Sequence, residues 1–420
     1  MHPFASYILK CYYRQTGWNE DNLYSNLTRS STAILDFNSP NSLFKTTYSM
    51  NALPTLNGSV GYIFTSCDLD VKGSNNVRFK DMIERFRVYD QPGRPEPRPE
   101  VFLQGDRVDA RDYLLYGRLY IPTGRLDALY SARLTPTAQL LVAAISDPRS
   151  PLPLSQATSR RRGDSNGGIS NIMINLQHDI GKWCTEYSWS AEDGMFGLRL
   201  LHNFGSSRRT SQDAIPSTAK RVDQEEAMEG GLRGRFSAGA EVYFSAKEKS
   251  AGLSTGIRFT TLPDATPPSF QLPSQQTQPY LPSQPPTTLT AVFNPIVGHI
   301  STAYATRASE ELSMCSRFDF NVYSYLSEWT VGAEWWIGGT ARSADDPPTT
   351  DHDSSLSRAL AVEQLGGVVK ARMSTNADLS LMWEGRIKNL LVSLGVVSDL
   401  TNRSKPIRTI GLELAYFSSA

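Results

Sequence analysis

The feature that most restricts this chain is a two-residue rhythm of apolar and polar side chains, which begins near residue 31 and recurs to the end of the sequence. Ala33, Leu35 and Phe37 alternate with Thr32, Ile34 and Asp36. Phe44, Thr46, Tyr48 and Met50 alternate with Lys45, Thr47 and Ser49, and Leu56, Val60, Tyr62 and Phe64 are interleaved with Asn57, Ser59, Gly61 and Thr65. Successive side chains of a strand point to opposite faces, so this rhythm predicts strands with one face buried. Sixteen further segments of the same kind lie between residues 112 and 418, bringing the expected number to nineteen. Open sheets seldom exceed about ten strands without curling or splitting, so nineteen argue for one sheet closed on itself.

Such a sheet can sit in water or in lipid. No run of about 18 apolar residues is present, which excludes a transmembrane helix; a transmembrane barrel stays open, because its apolar side chains alternate with polar ones. At roughly 9–11 residues per spanning strand, nineteen strands use about 200 residues and leave the rest for connections. Tyr113, Tyr120, Trp183, Trp189, Phe204, Trp329, Trp335, Trp336 and Tyr416 fall near predicted strand ends, as the interfacial girdles of a barrel require. A soluble propeller or double sandwich is the rival, and the absence of a repeat of about 40 residues counts against the propeller. The expectation is an all-β fold: a single transmembrane β-barrel domain over residues 1–420, with a short N-terminal helix in 1–20 and barrel strands in 31–418. Long polar loops are expected near 67–111, 148–169, 205–232, 263–286 and 339–365. Phe4, Tyr7, Ile8, Cys11, Tyr12 and Gln15 recur at spacings of three and four, which predicts the helix. It is too short to span a bilayer and is expected in the lumen.

The remaining composition excludes more than it assigns. Forty-two basic and 42 acidic side chains cancel, and a neutral chain lacks the basic footprint of a nucleic-acid partner. Cys11, Cys67, Cys184 and Cys315 form no CxxC pair and read as free thiols. His2, His178, His202, His299 and His352 have no zinc spacing. Gly252-Leu253-Ser254-Thr255-Gly256 matches a hydrolase elbow, yet the alternation continues through Ile257, Arg258 and Phe259 as a strand rather than turning into a helix. Arg160-Arg161-Arg162 reads as a solvated loop. The N-terminus shows no secretory signal, so the sequons at Asn26, Asn57 and Asn402 are expected to stay unmodified. No cofactor is expected.

Six segments together resemble one fungal family. They are Leu56-Asn57-Gly58-Ser59-Val60-Gly61-Tyr62-Ile63-Phe64, Leu115-Tyr116-Gly117-Arg118-Leu119-Tyr120, Leu200-Leu201-His202-Asn203-Phe204, Phe293-Asn294-Pro295-Ile296-Val297-Gly298-His299-Ile300, Phe318-Asp319-Phe320-Asn321-Val322-Tyr323-Ser324 and Leu381-Met382-Trp383-Glu384-Gly385. In order and spacing they are similar to the mitochondrial distribution and morphology protein 10 family. The resemblance implies a nineteen-stranded barrel of the mitochondrial outer membrane, similar to the voltage-dependent anion channel, with the N-terminal helix in the lumen. It implies a scaffold rather than an enzyme. The implied partners are subunits of the ER–mitochondria encounter structure, a tether that supports phospholipid exchange and mitochondrial shape, and subunits of the sorting and assembly machinery, which inserts barrel precursors and helps build the import translocase. Membrane lipids are the remaining partner. A porin-like diffusion channel is the alternative function, and a soluble β-rich enzyme is a third reading.

Two aromatic pairs at i, i+2 are the candidate docking residues. The resemblance implies that Tyr62 and Phe64 serve the tether and that Phe318 and Phe320 serve the sorting and assembly machinery; otherwise both simply face lipid. Thr409, Gly411, Leu414 and Tyr416 fit the polar-x-Gly-x-x-hydrophobic-x-hydrophobic pattern of a β-signal, in which an unpaired last strand adds to an insertase edge.

Overall fold

The computed structural model describes residues 3–37, 58–67, 69, 79–88, 95, 101–103, 106–108, 112–121, 124–147, 169–204, 234–261, 285–309, 311–337, 367–387, 390–400 and 407–416. Seventeen strands form one sheet. They are β1 (Gly58–Thr65), β2 (Tyr113–Ile121), β3 (Leu126–Thr135), β4 (Ala138–Asp147), β5 (Ile169–Asp179), β6 (Trp183–Ser190), β7 (Met195–Asn203), β8 (Gly234–Ser245) and β9 (Ser250–Thr261), followed by β10 (Thr287–Asn294), β11 (His299–Arg307), β12 (Leu312–Asn321), β13 (Ser327–Ile337), β14 (Gly367–Ser374), β15 (Asp378–Ile387), β16 (Leu390–Asp399) and β17 (Ile407–Tyr416). Each strand pairs antiparallel with its sequence neighbour, from β1 with β2 to β16 with β17. Among the described residues β1 and β17 have no second registered partner.

These seventeen correspond to seventeen of the nineteen expected segments. The first expected strand, at 31–37, is instead a helix, α2 (Arg29–Leu35), and the two residues after it. The reason is visible in burial: Ser30, Ser31, Ala33, Ile34 and Leu35 are all buried, so the segment has no outward face and the apparent alternation of Ala33, Leu35 and Phe37 has no physical counterpart. The expected strand at 44–50 lies outside the described residues. A short hairpin, Val101–Leu103 with Asp106–Val108, falls within what was expected to be loop.

The sheet is inverted relative to a soluble protein. On β2, Tyr113, Leu115, Leu119 and Ile121 are exposed on one face, and Leu114 and Tyr116 are buried on the other. The inner face carries buried polar groups along the wall, including Asp127, Gln139, Gln177, Glu186, Asn203, Arg258, Glu334 and Lys370. The interior is filled by the N-terminal segment. The helix α1 (Pro3–Thr16) ends at Gly17, whose φ of +68° closes the helix as the Trp18 N–H returns to the Tyr13 carbonyl at 2.9 Å. Ala5, Ile8 and Tyr12 of α1 pack on Leu114, Tyr116 and Leu129 of β2 and β3. Leu23, Tyr24 and Leu27 pack on Cys184 and Leu201 of β6 and β7. Ile34 and Leu35 of α2 pack on Ala303, Ala305 and Cys315 of β11 and β12. A strap at 79–88, opening with a one-turn helix α3 (Phe79–Met82), packs on Val368 and Leu391 of β14 and β16. Phe4 and Tyr7 touch both the first and the last of these clusters. The two ends of the sheet therefore approach the same helix, and the sheet curls around it. Glycines on the inner wall make room: a Cβ at Gly239 would lie 2.5 Å from the Tyr24 ring, and one at Gly332 would lie 2.5 Å from Leu35.

Polar contacts bind plug to wall. Lys370 donates to the carbonyls of Ala33 and Glu84, both at 2.6 Å, and sits 3.5 Å from Glu334. Arg372 donates to the Leu35 carbonyl at 3.0 Å, so cations serve the C-terminus of α2, as its dipole favours. Arg317 pairs with Asp36 at 2.9 Å, and Arg133 donates to the Thr16 carbonyl. Asn22 donates to Asp179 at 2.7 Å and accepts from Asn203 at 2.6 Å. Within the plug, Glu84 holds Lys10 at 2.9 Å and Arg29 at 3.0 Å, tying α1 to α2.

Two outcomes follow from this interior. Removing one partner of a buried ion pair costs about 3–5 kcal/mol; Lys370→Met should lower the temperature at which the protein loses its heat-modifiable compact band and should expose the amides of α2 to exchange while β4–β7 stay protected. The second concerns pH. Burial alone would raise the Glu84 carboxyl, but hydrogen bonds and charge from Arg29 and Lys10 overcome it and hold the group at about 2, against an ordinary 4.5. Its contribution is complete above the ordinary value and is lost as pH falls toward 2. Asp21 has the opposite sign: burial outweighs Arg87 and raises it. The gap in thermal unfolding between wild type and Glu84→Gln should be full above pH 4.5 and close as pH falls toward 2; a constant gap across the range would contradict the assignment.

Candidate functional site

Outward side chains of the sheet make a continuous apolar wall, and both candidate aromatic pairs stand on it. Tyr62 and Phe64 lie on β1 with Val60, at 66%, 59% and 47% exposure. Tyr62 is opposite Gly117, which has no side chain to cover the ring, and Phe64 is opposite Leu115. The pair also sits on a terminal strand of the described sheet, where neighbouring side chains are present on one side only.

Phe318 and Phe320 lie on β12, with ten strands between them and β1. Their rings are parallel to within 8°, with centroids 6.4 Å apart. Phe318 is exposed and stands opposite Thr302 on one side and Trp329 on the other, while Phe320 is half-buried between Ile300 and Ser327. Trp329 is exposed too, and its indole N–H donates to Ser316 at 2.7 Å, which fixes the ring on the surface. The wall thus holds two separate aromatic surfaces, and the second includes a tryptophan that the i, i+2 spacing alone did not pick out. Cross-strand register was the missing information.

The C-terminal residues fall on β17. Thr409 is opposite Val397, Gly411 opposite Gly395, Leu414 opposite Val392 and Tyr416 opposite Leu390. Ile410, Leu412 and Leu414 face outward and are exposed. A bulge at Val397–Ser398 shifts the register near the start of β17.

Elsewhere the chemistry is structural. Ser254 of the G-x-S-x-G stretch lies inside β9, 3.1 Å from the Tyr24 hydroxyl, in no strand-turn-helix setting. Cys11, Cys184 and Cys315 are buried thiols outside any disulfide, and the half-buried Cys67 thiol donates to Asp112 at 3.5 Å. Among the described residues no group of three or more His, Cys, Asp or Glu is arranged to hold a metal ion, and no helix is long and apolar enough to cross a membrane.

The family model for mitochondrial distribution and morphology protein 10 matches residues 1–364 and 349–419. Proteins of that name from Postia placenta, Laccaria bicolor and Coprinopsis cinerea are 65%, 64% and 58% identical to this chain, each with both chains covered in full. The inverted strand pattern, the apolar outer wall and this full-length identity converge: the chain belongs to the mitochondrial distribution and morphology protein 10 family and is a protein of the mitochondrial outer membrane.

Proposed function

We propose that the curled sheet closes into a barrel embedded in the outer membrane and that the barrel is a docking scaffold, serving as a subunit of the ER–mitochondria encounter structure and of the sorting and assembly machinery. One observation carries the reading: the apolar face of the wall points outward while the interior is occupied by the chain's own helices and strap. A porin-like channel needs an open lumen, and a filled one favours partner binding at the wall over diffusion through it. In the same reading the protein is no enzyme, and it supports mitochondrial shape and phospholipid exchange by fixing the tether to the membrane.

Closure has a direct test. A closed barrel has no free edge, so amides of β1 and β17 should be protected from hydrogen exchange as well as those of the central strands β7–β9. Fast exchange along either outer edge would mean an open sheet. The pattern of Thr409, Gly411, Leu414 and Tyr416 fits this picture as the strand offered to an insertase edge before closure.

The aromatic pairs are the proposed anchors, Tyr62 and Phe64 for the tether and Phe318 and Phe320 for the sorting and assembly machinery. Anchors of this type often cost 2 kcal/mol or more on truncation, about a thirtyfold loss in affinity. Changing Tyr62 and Phe64 to Ala should release tether subunits and keep the others, and changing Phe318 and Phe320 should do the reverse, when co-purification is measured at matched levels of inserted barrel. Equal loss of both sets in both variants would assign the pairs to lipid contact instead.

A further inference from the structure

A cleft open to solvent lies between α1 and the strap. Lys10 and Arg14 enter it from one face of α1, one turn apart, and Lys80, Arg85 and Arg87 enter from the strap. Two carboxylates, Asp81 and Glu84, stand against these five cations.

The carboxylates are already in use. Glu84 is shared by Lys10 and Arg29, and Asp81 has an interaction of its own. Arg87 is neutralised from outside the cleft by Glu20 and Asp21, each at 2.7 Å. Arg14, Lys80 and Arg85 are left with no ion-pair partner among the described residues. All three are exposed side chains, and, with no ion-pair partner among the described residues, three cations around one cleft repel each other. An anion placed among them removes that repulsion. Two of the three are guanidiniums, whose planar forks match the oxygens of a phosphate, and the lysine adds a point charge. Tyr7 and Ile83 give the cleft an apolar side beside these charges.

We propose that this cleft binds a phosphate-bearing anion through Arg14, Lys80 and Arg85, the phosphate belonging either to an anionic lipid headgroup or to a free phosphate compound. The site is separate from the docking wall and does not depend on the scaffold reading.

The test uses the full chain, folded in a nonionic detergent, with three probes: pyrophosphate, dioctanoyl phosphatidic acid and, as a zwitterionic control, dioctanoyl phosphatidylcholine. Affinity is read by calorimetry and by the shift in thermal unfolding. Wild type should bind a phosphate probe at low salt, with affinity falling as salt rises, and the triple variant Arg14→Gln, Lys80→Gln, Arg85→Gln should lose at least tenfold. Tighter binding of phosphatidic acid, displaced by pyrophosphate, assigns the site to a lipid headgroup. Tighter binding of pyrophosphate assigns it to a free phosphate compound. If the triple variant fails to form the compact band, Arg14→Gln and Arg85→Gln alone should each lose at least threefold. No binding of either phosphate probe to folded wild type, equal binding in the variants, or phosphatidylcholine binding as well as phosphatidic acid would each overturn the proposal.

Discussion

Polar side chains buried on the inner face of the wall have lost their water and need partners. That requirement organises the rest of the molecule. Asp179, Glu186, Asn203, Arg258 and Lys370 are buried on the inner face, and each meets a group of residues 21–33. The N-terminal segment is therefore the part of the chain that satisfies the wall, rather than a loose occupant of an open lumen. Apolar contacts add to this at four places around the interior, where Tyr12, Tyr24, Leu35 and Phe79 take turns against successive parts of the sheet.

The same arrangement separates two kinds of surface. Outside, exposed aromatics such as Phe318 and Trp329 stand on strands paired on both sides, so their rings are presented on a rigid base. Rigid, amphipathic side chains of low conformational entropy make economical anchors, in lipid or at a protein interface. Inside, charge is concentrated between α1 and the strap, where Glu84 ties together Lys10 and Arg29 while Arg14, Lys80 and Arg85 have no ion-pair partner among the described residues. One face can hold proteins and the other a small anion without competition, because the wall lies between them.

Strand position was legible in the residues alone because it rests on a local property. A strand places neighbours on opposite faces whatever surrounds it, so the alternation at 112–121 or 326–338 identifies a strand before any partner is known. The α1 helix was legible for the same reason, through spacings of three and four. The direction of the inversion was not, since the alternation alone fits a sheet in water or in lipid; burial of Asp127, Gln139 and Glu186 on the inner face decides it. The i, i+2 aromatic pairs could be found as candidates, but not the tryptophan beside Phe318, which comes from the next strand.

Tertiary structure alone decided what occupies the interior. Residues 31–35 read as a strand in the sequence, yet every one except Thr32 is buried in a helix, and Lys370 and Arg372 on β14, more than 330 positions away, serve its last carbonyls. The strap at 79–88 carries five charged side chains in ten residues and looks like solvated loop in the sequence. It is held inside because Met82, Ile83 and Phe86 meet walls built by strands distant in the chain. A local pattern reports the backbone's own geometry. Where a segment's partners are all remote and surround it on every side, no local pattern remains, and the fold of the wall determines the fold of the plug.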